Sequence, residues 1–412
     1  MKKIKNNALG YFLVYLLNPF LAFIIAFNEF KKNKNHIIII LFYVFYGLLF
    51  VVNDQNDYDA NRLANMFHNT YEMNFQTFLY RSFIYDANGD SATDLLLPSV
   101  LFISSRFSNS EPFFFAVLSL VYALVFVALL KSIHKHLKFN VNTNVYFIFL
   151  FLLIPVFEIN RFRFFIAIIV YTIFVLRYLE YKNLKYLFYS GASILCHFSF
   201  IAPVCILFLY HFIGNRNKLL LALFLISTFI SNFVSNDIVN EFSQMLGGNV
   251  EAKLDLYTKD FSEFELDEIV NFVQETRWII KIQYDLLFYT FMSAIVFLNL
   301  KRLKINELSS NLYSFILLFA TYVNFIRNLP ESFRFIIIIT LFGTIYLLLF
   351  FSYMNEKKLS ITTWLLLVPI VIYSLIKIRS GMETFSIDLL VSNPIIYGFY
   401  HSNIPITKLL GK

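Results

Sequence analysis

Long apolar runs, each carrying few charges, recur along the whole chain and limit what it can fold into. A helix needs about 20 predominantly apolar residues to cross a bilayer. The composition agrees, because 58% of the 412 residues are hydrophobic and only 15% are charged. The sequence therefore predicts an all-α, polytopic helical membrane protein with roughly 11–13 transmembrane helices, forming a single transmembrane domain over residues 1–412. The predicted spans are 11–29, 37–52, 112–130, 144–158, 161–180, 185–212, 219–235, 283–300, 311–326, 335–353 and 361–378.

The charges between the predicted spans fall into two patterns. Short loops rich in lysine and arginine predict the cytoplasmic side of the membrane, so the outer loop 53–92 and the large acidic loop 236–281 are predicted to lie on the other side. These basic loops explain the formal net charge of +7, and no nucleic-acid partner is expected. The basic loops contain Lys31, Lys32 and Lys34; Lys131, Lys135 and Lys138; Lys182 and Lys185; Arg216 and Lys218; Lys301, Arg302 and Lys304; and Lys357 and Lys358.

Two apolar stretches do not fit a single straight span. Residues 93–107 are short and contain Pro98 and Arg106, which predicts an interfacial or re-entrant helix. The run 185–212 is longer than one span needs and is interrupted near His197. It is therefore predicted to form two short helices that meet at a break on the outer side.

A cluster of polar residues opens the predicted span 161–180. Asn160, Arg163 and Ala167 are spaced to share one helical face, and Arg161 lies beside them. A guanidinium fork at a helix N-terminus matches phosphate oxygens, and the free backbone N–H groups there add to the binding. The cluster predicts a phosphate-binding site. The alternative is that these arginines extend to the lipid headgroups.

A second polar cluster lies between the spans 311–326 and 335–353. Arg327 and Arg334 flank a short outer turn that contains Pro330 and Glu331. Arginine within the hydrocarbon region costs about 2.5–3.5 kcal/mol on insertion scales, so it is kept mostly where a partner or ligand exists. The two arginines are therefore candidate phosphate ligands. The alternative is an ion pair of Glu331 with either of them.

Candidate bases lie at two other places in the chain. His197 is predicted at the outer helix break, and histidine is the usual general base near neutral pH; the alternative is a hydrogen-bonded core residue. Asp54, Asp57 and Tyr58 belong to an acidic segment that follows the span 37–52. Its carboxylates can bind sugar hydroxyls or a cation, or the segment is an ordinary solvated loop. No Walker, HExxH, GxSxG or GxGxxG motif is present in the sequence.

In their order and spacing these residues resemble the EpsG/Wzy-type polysaccharide polymerases. These are multispanning bacterial proteins of capsule, exopolysaccharide and O-antigen synthesis. The resemblance extends over roughly residues 37–353. The chain departs from the family pattern at Phe164, where glutamine is usual, and at Asn56, where glycine is usual. The matching residues are Asp57 and Tyr58; Asn160, Arg163 and Ala167; Ala192, His197 and Ser199; and Arg334.

The resemblance implies a membrane glycosyltransferase that joins oligosaccharide repeat units carried on undecaprenyl diphosphate. It implies a multi-pass protein of the bacterial inner membrane whose active site faces the periplasmic or extracellular side. The partners would be the lipid-linked oligosaccharide, membrane lipid, a chain-length regulator and a repeat-unit flippase. His197 or Asp57 would be the base, and Asp54, Tyr58 and Glu331 would contact the acceptor sugar. No cofactor is expected, and the diphosphate would be held by arginine charge without a metal ion.

Two other functions remain alternatives at this point. A transporter or flippase of lipid-linked oligosaccharides would also need a polar site within a helical bundle. Transporters often carry inverted repeats and helices broken near the midplane, and the sequence shows no repeat. A related membrane glycosyltransferase or ligase would use the same donor with another acceptor.

Overall fold

The computed structural model describes residues 2–30, 36–52, 58–83, 94–230, 267–300, 306–327, 332–354, 358–397 and 404–409. Over these residues the chain is an all-α bundle, in which six helices are long and apolar enough to cross a membrane. Shorter apolar helices lie between them. The predicted all-α, polytopic membrane fold is confirmed. The six long helices are Glu111–His134, Val156–Tyr181, Lys281–Leu300, Glu307–Ile326, Phe333–Tyr353 and Ile361–Gly381.

The α-helices are numbered here in chain order. Two 3₁₀ helices, Val156–Arg161 and Phe198–Phe200, precede α9 and α12. The α-helices are α1 (Lys2–Leu17), α2 (Pro19–Phe30), α3 (His36–Leu48), α4 (Tyr58–Tyr71), α5 (Phe75–Phe83), α6 (Leu96–Ser105), α7 (Glu111–His134), α8 (Val141–Leu153), α9 (Phe162–Tyr181), α10 (Leu184–Ser190), α11 (Ala192–Cys196), α12 (Ile201–Ile213), α13 (Asn217–Ile230), α14 (Asp267–Leu300), α15 (Glu307–Ile326), α16 (Phe333–Tyr353), α17 (Ile361–Gly381), α18 (Asp388–Val391), α19 (Pro394–Tyr397) and α20 (Ile406–Leu409).

Side-chain caps determine where α8 begins and which helix end it meets. The side chain of Asn140 accepts a hydrogen bond from the N–H of Thr143 at 2.9 Å, and the Thr143 hydroxyl accepts one from the N–H of Asn140 at 2.6 Å. This reciprocal capping box satisfies N–H groups that the first helical turn leaves unpaired. The Asn140 amide also donates to the carbonyls of Phe351 and Met354. The start of α8 is thereby joined to the end of α16.

The run 185–212 is a helical hairpin whose break lies at His197, as the sequence predicts. The Tyr171 hydroxyl donates to the Pro203 carbonyl at 2.6 Å, and the Tyr178 hydroxyl lies 2.8 Å from Nδ1 of His211. Because these contacts advance together along both helices, α12 runs parallel to α9. The helices α10 and α11 therefore run in the opposite direction between them. The loops before α10 and after α12 return to one end of the bundle, called the basic end here.

The centre of the bundle is α16, which is almost completely buried. The helix α3 packs closely on α7 at Gly47, where a Cβ atom would lie 2.5 Å from the carbonyl oxygen of Phe115. The outermost long helix is α17, whose large side chains Trp364 and Leu365 are exposed. Such apolar exposure is expected of a helix face that borders lipid.

Two predicted segments have a definite form where they are described. Residues 96–105 form the ten-residue helix α6, about 15 Å long, which is shorter than a membrane span. The predicted loop 236–281 ends inside α14, a continuous helix of 34 residues. The end of the predicted loop, from Asp267 onward, and the predicted span 283–300 are thus one helix. Residues 231–266 lie outside the described part.

Candidate functional site

A cavity of about 300 Å³ opens at the end of the bundle opposite the basic end. It lies where the first turns of α9 and α16 meet α4 and the break at His197. Four arginines and one carboxylate, that of Asp59, are among its lining residues. We call it the arginine cavity. Its charged and polar lining residues are Asp59, Arg62, Asn160, Arg161, Arg163, His197 and Arg334.

The first turns of two helices, α9 and α16, line the arginine cavity. Among the described residues, no side chain caps the first turn of α9 or of α16. At α9 the preceding 3₁₀ helix supplies an acceptor, because the N–H of Phe162 donates to the carbonyl of Ile159. At α16 the first N–H groups lack intrahelical acceptors, and the helix dipole gives that end a partial positive charge. Both features favour an anion, and the arginines at the same place add full charges. The lining of the cavity is therefore suited to an anionic group.

The start of α9 differs in one respect from the sequence prediction. The chain turns at Pro155, whose carbonyl accepts a hydrogen bond from the Tyr122 hydroxyl at 3.1 Å. The following 3₁₀ helix ends at Arg161, so Asn160 precedes α9 and does not share a regular helical face with Arg163. Ala167 is fully buried. Asn160 and Arg163 still line the same cavity because the 3₁₀ turn brings both to its wall.

Arg163 is held in place by a buried carboxylate that sequence reasoning missed. Its Nη1 donates to Oδ2 of Asp94 at 2.7 Å. The other carboxylate oxygen of Asp94 accepts a hydrogen bond from the N–H of Phe198 at 2.8 Å. One aspartate therefore connects the arginine to the chain break beside His197. The sequence signal was a single acid at the edge of the short apolar run 93–107, and nothing in the sequence indicated its partners.

The ring of His197 is oriented by Ser199. Its Nδ1 lies 2.8 Å from the Ser199 hydroxyl and 3.3 Å from the Ser199 N–H. A backbone N–H can only donate, so Nδ1 accepts and the proton of the neutral ring is on Nε2. Burial lowers the pKa of His197 to about 3, with further lowering by the positive charges of Arg334 and Arg163. His197 is therefore neutral at physiological pH and offers Nε2–H as a hydrogen-bond donor.

Phe164 forms an aromatic surface between two of the candidate residues. Its ring meets the ring of His197 edge to face, with centroids 5.8 Å apart. The guanidinium carbon of Arg334 lies 5.8 Å from the Phe164 centroid, within cation–π range. Phe164, at the position where the polymerases that this chain resembles have glutamine, is thus part of the packing around Arg334 and His197.

Arg161 belongs to a charged group behind the cavity wall. Its Nη1 lies 3.4 Å from Oε2 of Glu158, and its Nε lies 3.9 Å from Oδ2 of Asp59. Glu158 is also bound by the ammonium group of Lys377 on α17, and both of these side chains are buried. A buried carboxylate shared by two cations fixes the 3₁₀ turn that carries Asn160. Neither Glu158 nor Lys377 was among the predicted site residues.

Arg327 does not line the arginine cavity. Its Nε and Nη2 donate to the two carboxylate oxygens of Asp285 at 2.9 and 2.8 Å, and its guanidinium carbon lies 4.5 Å from the Tyr289 ring centroid. This two-point pairing directs Arg327 towards α14. The sequence offers Glu331 as an alternative partner, whereas Asp285 lies 42 residues away along the chain and the local pattern does not indicate it.

The acidic segment is only partly described. Asp54, Asp57 and Glu331 lie outside the described residues, and Tyr58 is the first residue of α4, without a described side chain. Asp59 and Arg62, which follow on α4, line the cavity. Of the predicted site residues, the structure brings together Asn160, Arg161, Arg163, His197 and Arg334.

The lining of the cavity combines fixed cations with a neutral hydrogen-bond donor. Among the described residues, no group of three histidine, cysteine or acidic side chains is placed to hold a metal ion. The predicted metal independence stays a prediction. No protein-family model, curated protein or solved structure matches this chain.

Proposed function

We propose that this membrane protein is a glycosyltransferase that joins oligosaccharide repeat units carried on a lipid diphosphate into a surface polysaccharide. The observation that carries the proposal is the arginine cavity, where two helix N-termini place Arg163 and Arg334 beside a neutral histidine. A diphosphate is the kind of group that such a cavity fits. The ordered residues that resemble the EpsG/Wzy-type polymerases supply the substrate class, an undecaprenyl-diphosphate-linked oligosaccharide.

The reaction needs charge stabilisation at the leaving group. A sugar hydroxyl of the acceptor attacks the anomeric carbon of the donor, and the bond from that carbon to the phosphate oxygen breaks. The electron pair leaves with the diphosphate, where fixed cations stabilise the developing charge. Arg163, held by Asp94, and Arg334, beside Phe164, are suited to this role. The proton of the attacking hydroxyl passes to a base.

His197 fits the role of donor better than the predicted role of base. Its Nδ1 is occupied by Ser199, and its Nε2 already carries the proton. In this tautomer Nε2–H can donate to a diphosphate oxygen or to a sugar hydroxyl. Asp57 is then the candidate base, and Asp59 and Arg62 of α4 are candidates for contacts with the acceptor sugar.

The location of the cavity suits a lipid-linked substrate at one membrane face. Among the described residues, basic side chains lie at the opposite end of the bundle, including Lys135 at the end of α7 and Lys182 at the end of α9. By the positive-inside rule that end is cytoplasmic. The arginine cavity would then face the periplasmic or extracellular side of a bacterial inner membrane. Apolar lining residues such as Leu97, Met66 and Ile337 offer a surface for the lipid portion of the donor.

Gene deletion with complementation tests the function. In the deletion strain, surface polysaccharide separated on a gel is expected to show single repeat units without a ladder, and the wild-type gene should restore the ladder. Complete loss of surface units would indicate a flippase. Polymer of normal chain length that is not attached to its acceptor would indicate a ligase. As a control, complementation with a gene that carries Arg216→Ala, at an exposed position of the basic end, should also restore the ladder.

A further inference from the structure

A second cavity, of about 540 Å³, lies at the basic end of the same two helices. The arginine cavity meets α9 at Arg163, whereas this one meets α9 at Arg177. Fourteen residues of α-helix separate these positions, or about 21 Å along the axis. We call it the lysine cavity. Its charged lining residues are Lys131, Lys135, His136, Arg177 and Glu180.

The lysine cavity retains positive charge after its internal ion pair is counted. Lys135 donates to both carboxylate oxygens of Glu180, at 2.9 and 2.6 Å, and His136 lies 3.6 Å from the same carboxylate. Among the described lining residues, Glu180 is the one acid. Among the described residues, Lys131 and Arg177 have no carboxylate within ion-pair distance, and both are exposed. Two cations are therefore available to an incoming anion.

Most of the remaining lining of the lysine cavity is aromatic or apolar. The guanidinium carbon of Arg177 lies 5.9 Å from the Tyr186 centroid, and Nζ of Lys135 lies 5.2 Å from the Tyr181 centroid. Below them the cavity is lined by apolar side chains of α9, α15 and α16, namely Leu176, Leu308, Ile345 and Leu349. A ligand with a charged head and an apolar body matches both parts of this lining.

We propose that the lysine cavity binds the phosphate headgroup of an anionic phospholipid. Lys131 and Arg177 would contact the phosphate, and the apolar wall would contact the first part of an acyl chain. Basic pockets between transmembrane helices commonly bind such headgroups, and tyrosines are enriched at the depth where headgroups lie. A free phosphate ion shares the charge but has no apolar part to use the wall formed by Leu308 and Leu349.

The proposal is tested with the purified full-length protein in detergent, titrated with short-chain phosphatidylglycerol while thermal unfolding is followed. Stabilisation should exceed that given by phosphatidylcholine of the same chain length or by inorganic phosphate. The variant Lys131→Gln/Arg177→Gln should bind phosphatidylglycerol roughly 30-fold more weakly, because each cation near a membrane surface contributes about fivefold in affinity. Lys218→Gln, an exposed cation of the basic end outside the cavity, should keep wild-type affinity.

Three outcomes would overturn the proposal. Equal stabilisation by phosphatidylcholine would remove the role of the anionic headgroup. Equal stabilisation by inorganic phosphate would assign the cavity to a free anion. Unchanged phosphatidylglycerol affinity in the double variant would place lipid binding elsewhere. If the double variant is poorly folded, Lys131→Glu and Arg177→Gln made singly provide the same comparison, and each should weaken phosphatidylglycerol binding while Lys218→Glu does not.

Discussion

The arginine cavity and the lysine cavity lie at opposite ends of α9 and α16, and helix polarity makes them different sites. In the lysine cavity Lys131 lies in the last turn of α7, where the dipole favours positive charge by about 0.3–1 kcal/mol. Arg163 and Arg334 lie in the first turns of α9 and α16, where the dipole opposes them. For Arg163 the fixed carboxylate of Asp94 offsets this cost. A cation at an unfavourable helix end is therefore the stronger indication of function.

The two cavities also differ in how firmly their charges are held. Asp94 fixes Arg163 from a buried position, and the buried pair of Glu158 and Lys377 supports the adjoining turn. In the lysine cavity the ion pair of Lys135 with Glu180 is partly exposed. The first arrangement suits a reaction, which needs charges at fixed positions. The second suits reversible binding of a mobile molecule.

The largest difference between the cavities should appear in stability. Glu158→Gln leaves the buried ammonium group of Lys377 without its carboxylate, and breaking a buried pair in this way costs about 3–5 kcal/mol. Glu180→Gln at the other cavity breaks a partly exposed pair and should cost less than about 1 kcal/mol. Thermal unfolding in detergent and membrane abundance measure both. If Glu158→Gln is as stable as Glu180→Gln, the arginine cavity does not depend on its buried pair. The double variant Glu158→Gln/Lys377→Met should recover part of the loss.

Polymerisation should separate the cavities almost as strongly. Arg163→Ala and Arg334→Ala should each lower polymer formation about 10²–10³-fold, the usual cost of removing a charge-stabilising donor, while membrane abundance stays near normal. Arg163→Lys should recover activity in part, since a point charge lacks the planar fork. Arg177→Ala, at the other end of α9, should leave the polysaccharide ladder unchanged. Normal ladders in both Arg163→Ala and Arg334→Ala would contradict the proposed diphosphate site.

A change at Asp94 tests whether polymer formation depends on the position of Arg163 as well as on its charge. Asp94→Asn keeps the size and one acceptor but removes the negative charge beside Arg163. A hydrogen bond to a charged group is worth about 1.5–3 kcal/mol, so polymer formation should fall about 10–100-fold. Gel analysis of chain length, normalised to membrane abundance, measures this. The control is Glu180→Gln, which removes a cation's partner in the lysine cavity and should not affect chain length. Equal effects of the two changes would mean that positioning by Asp94 is unimportant.

The smallest expected effect is on the acid stability of the arginine cavity. An unfolded histidine takes up its proton near pH 6.5, whereas burial and the two arginines lower the pKa of His197 to about 3. The unfolded state therefore binds more protons between these values, and the free energy of unfolding decreases as the pH falls below 6.5. We expect a loss of about 1–2 kcal/mol by pH 5. Unfolding in detergent at several pH values measures it, and the loss should be smaller in His197→Gln.

His68 provides the control for this experiment. Hydrogen bonds to Glu111 and Asn109 raise the pKa of His68, so its contribution is present below pH 6.5 and is lost as the pH rises. His68→Gln should therefore leave the loss of stability below pH 6.5 unchanged. If His197→Gln and wild type lose the same stability on acidification, His197 is not held neutral in the folded protein.

The sequence predicted the fold and much of the cavity because both depend on local patterns. Apolar runs of membrane length identify helices wherever they occur, and the break at His197 could be read from the excess length of one run. Asn160, Arg163 and Arg334 could be selected because a polar residue at the end of an apolar helix is costly unless a partner or ligand binds it. The order of these residues along the chain added the resemblance to the polysaccharide polymerases.

The partners of these residues could not be predicted because they lie far away along the chain. Asp94 is 69 residues from Arg163, and Asp285 is 42 residues from Arg327. The same reasoning therefore assigned Arg327 to the phosphate site, although the structure pairs it with an aspartate on α14. The spacing of charges within one segment does not reveal which helix will pack against it. Side-chain pairing across helices requires the packed structure.

The pairing of Glu158 with Lys377 also concerns the timing of synthesis. The two residues are 219 positions apart, which a ribosome takes roughly 10–40 s to translate at about 5–20 residues per second. During that interval Glu158 has either to stay hydrated or to carry a proton, since an isolated carboxylate is costly to bury. The wall of the arginine cavity can be completed only when α17 has been inserted. The nascent protein would therefore acquire its anion site late, after nearly all of its membrane helices have been made.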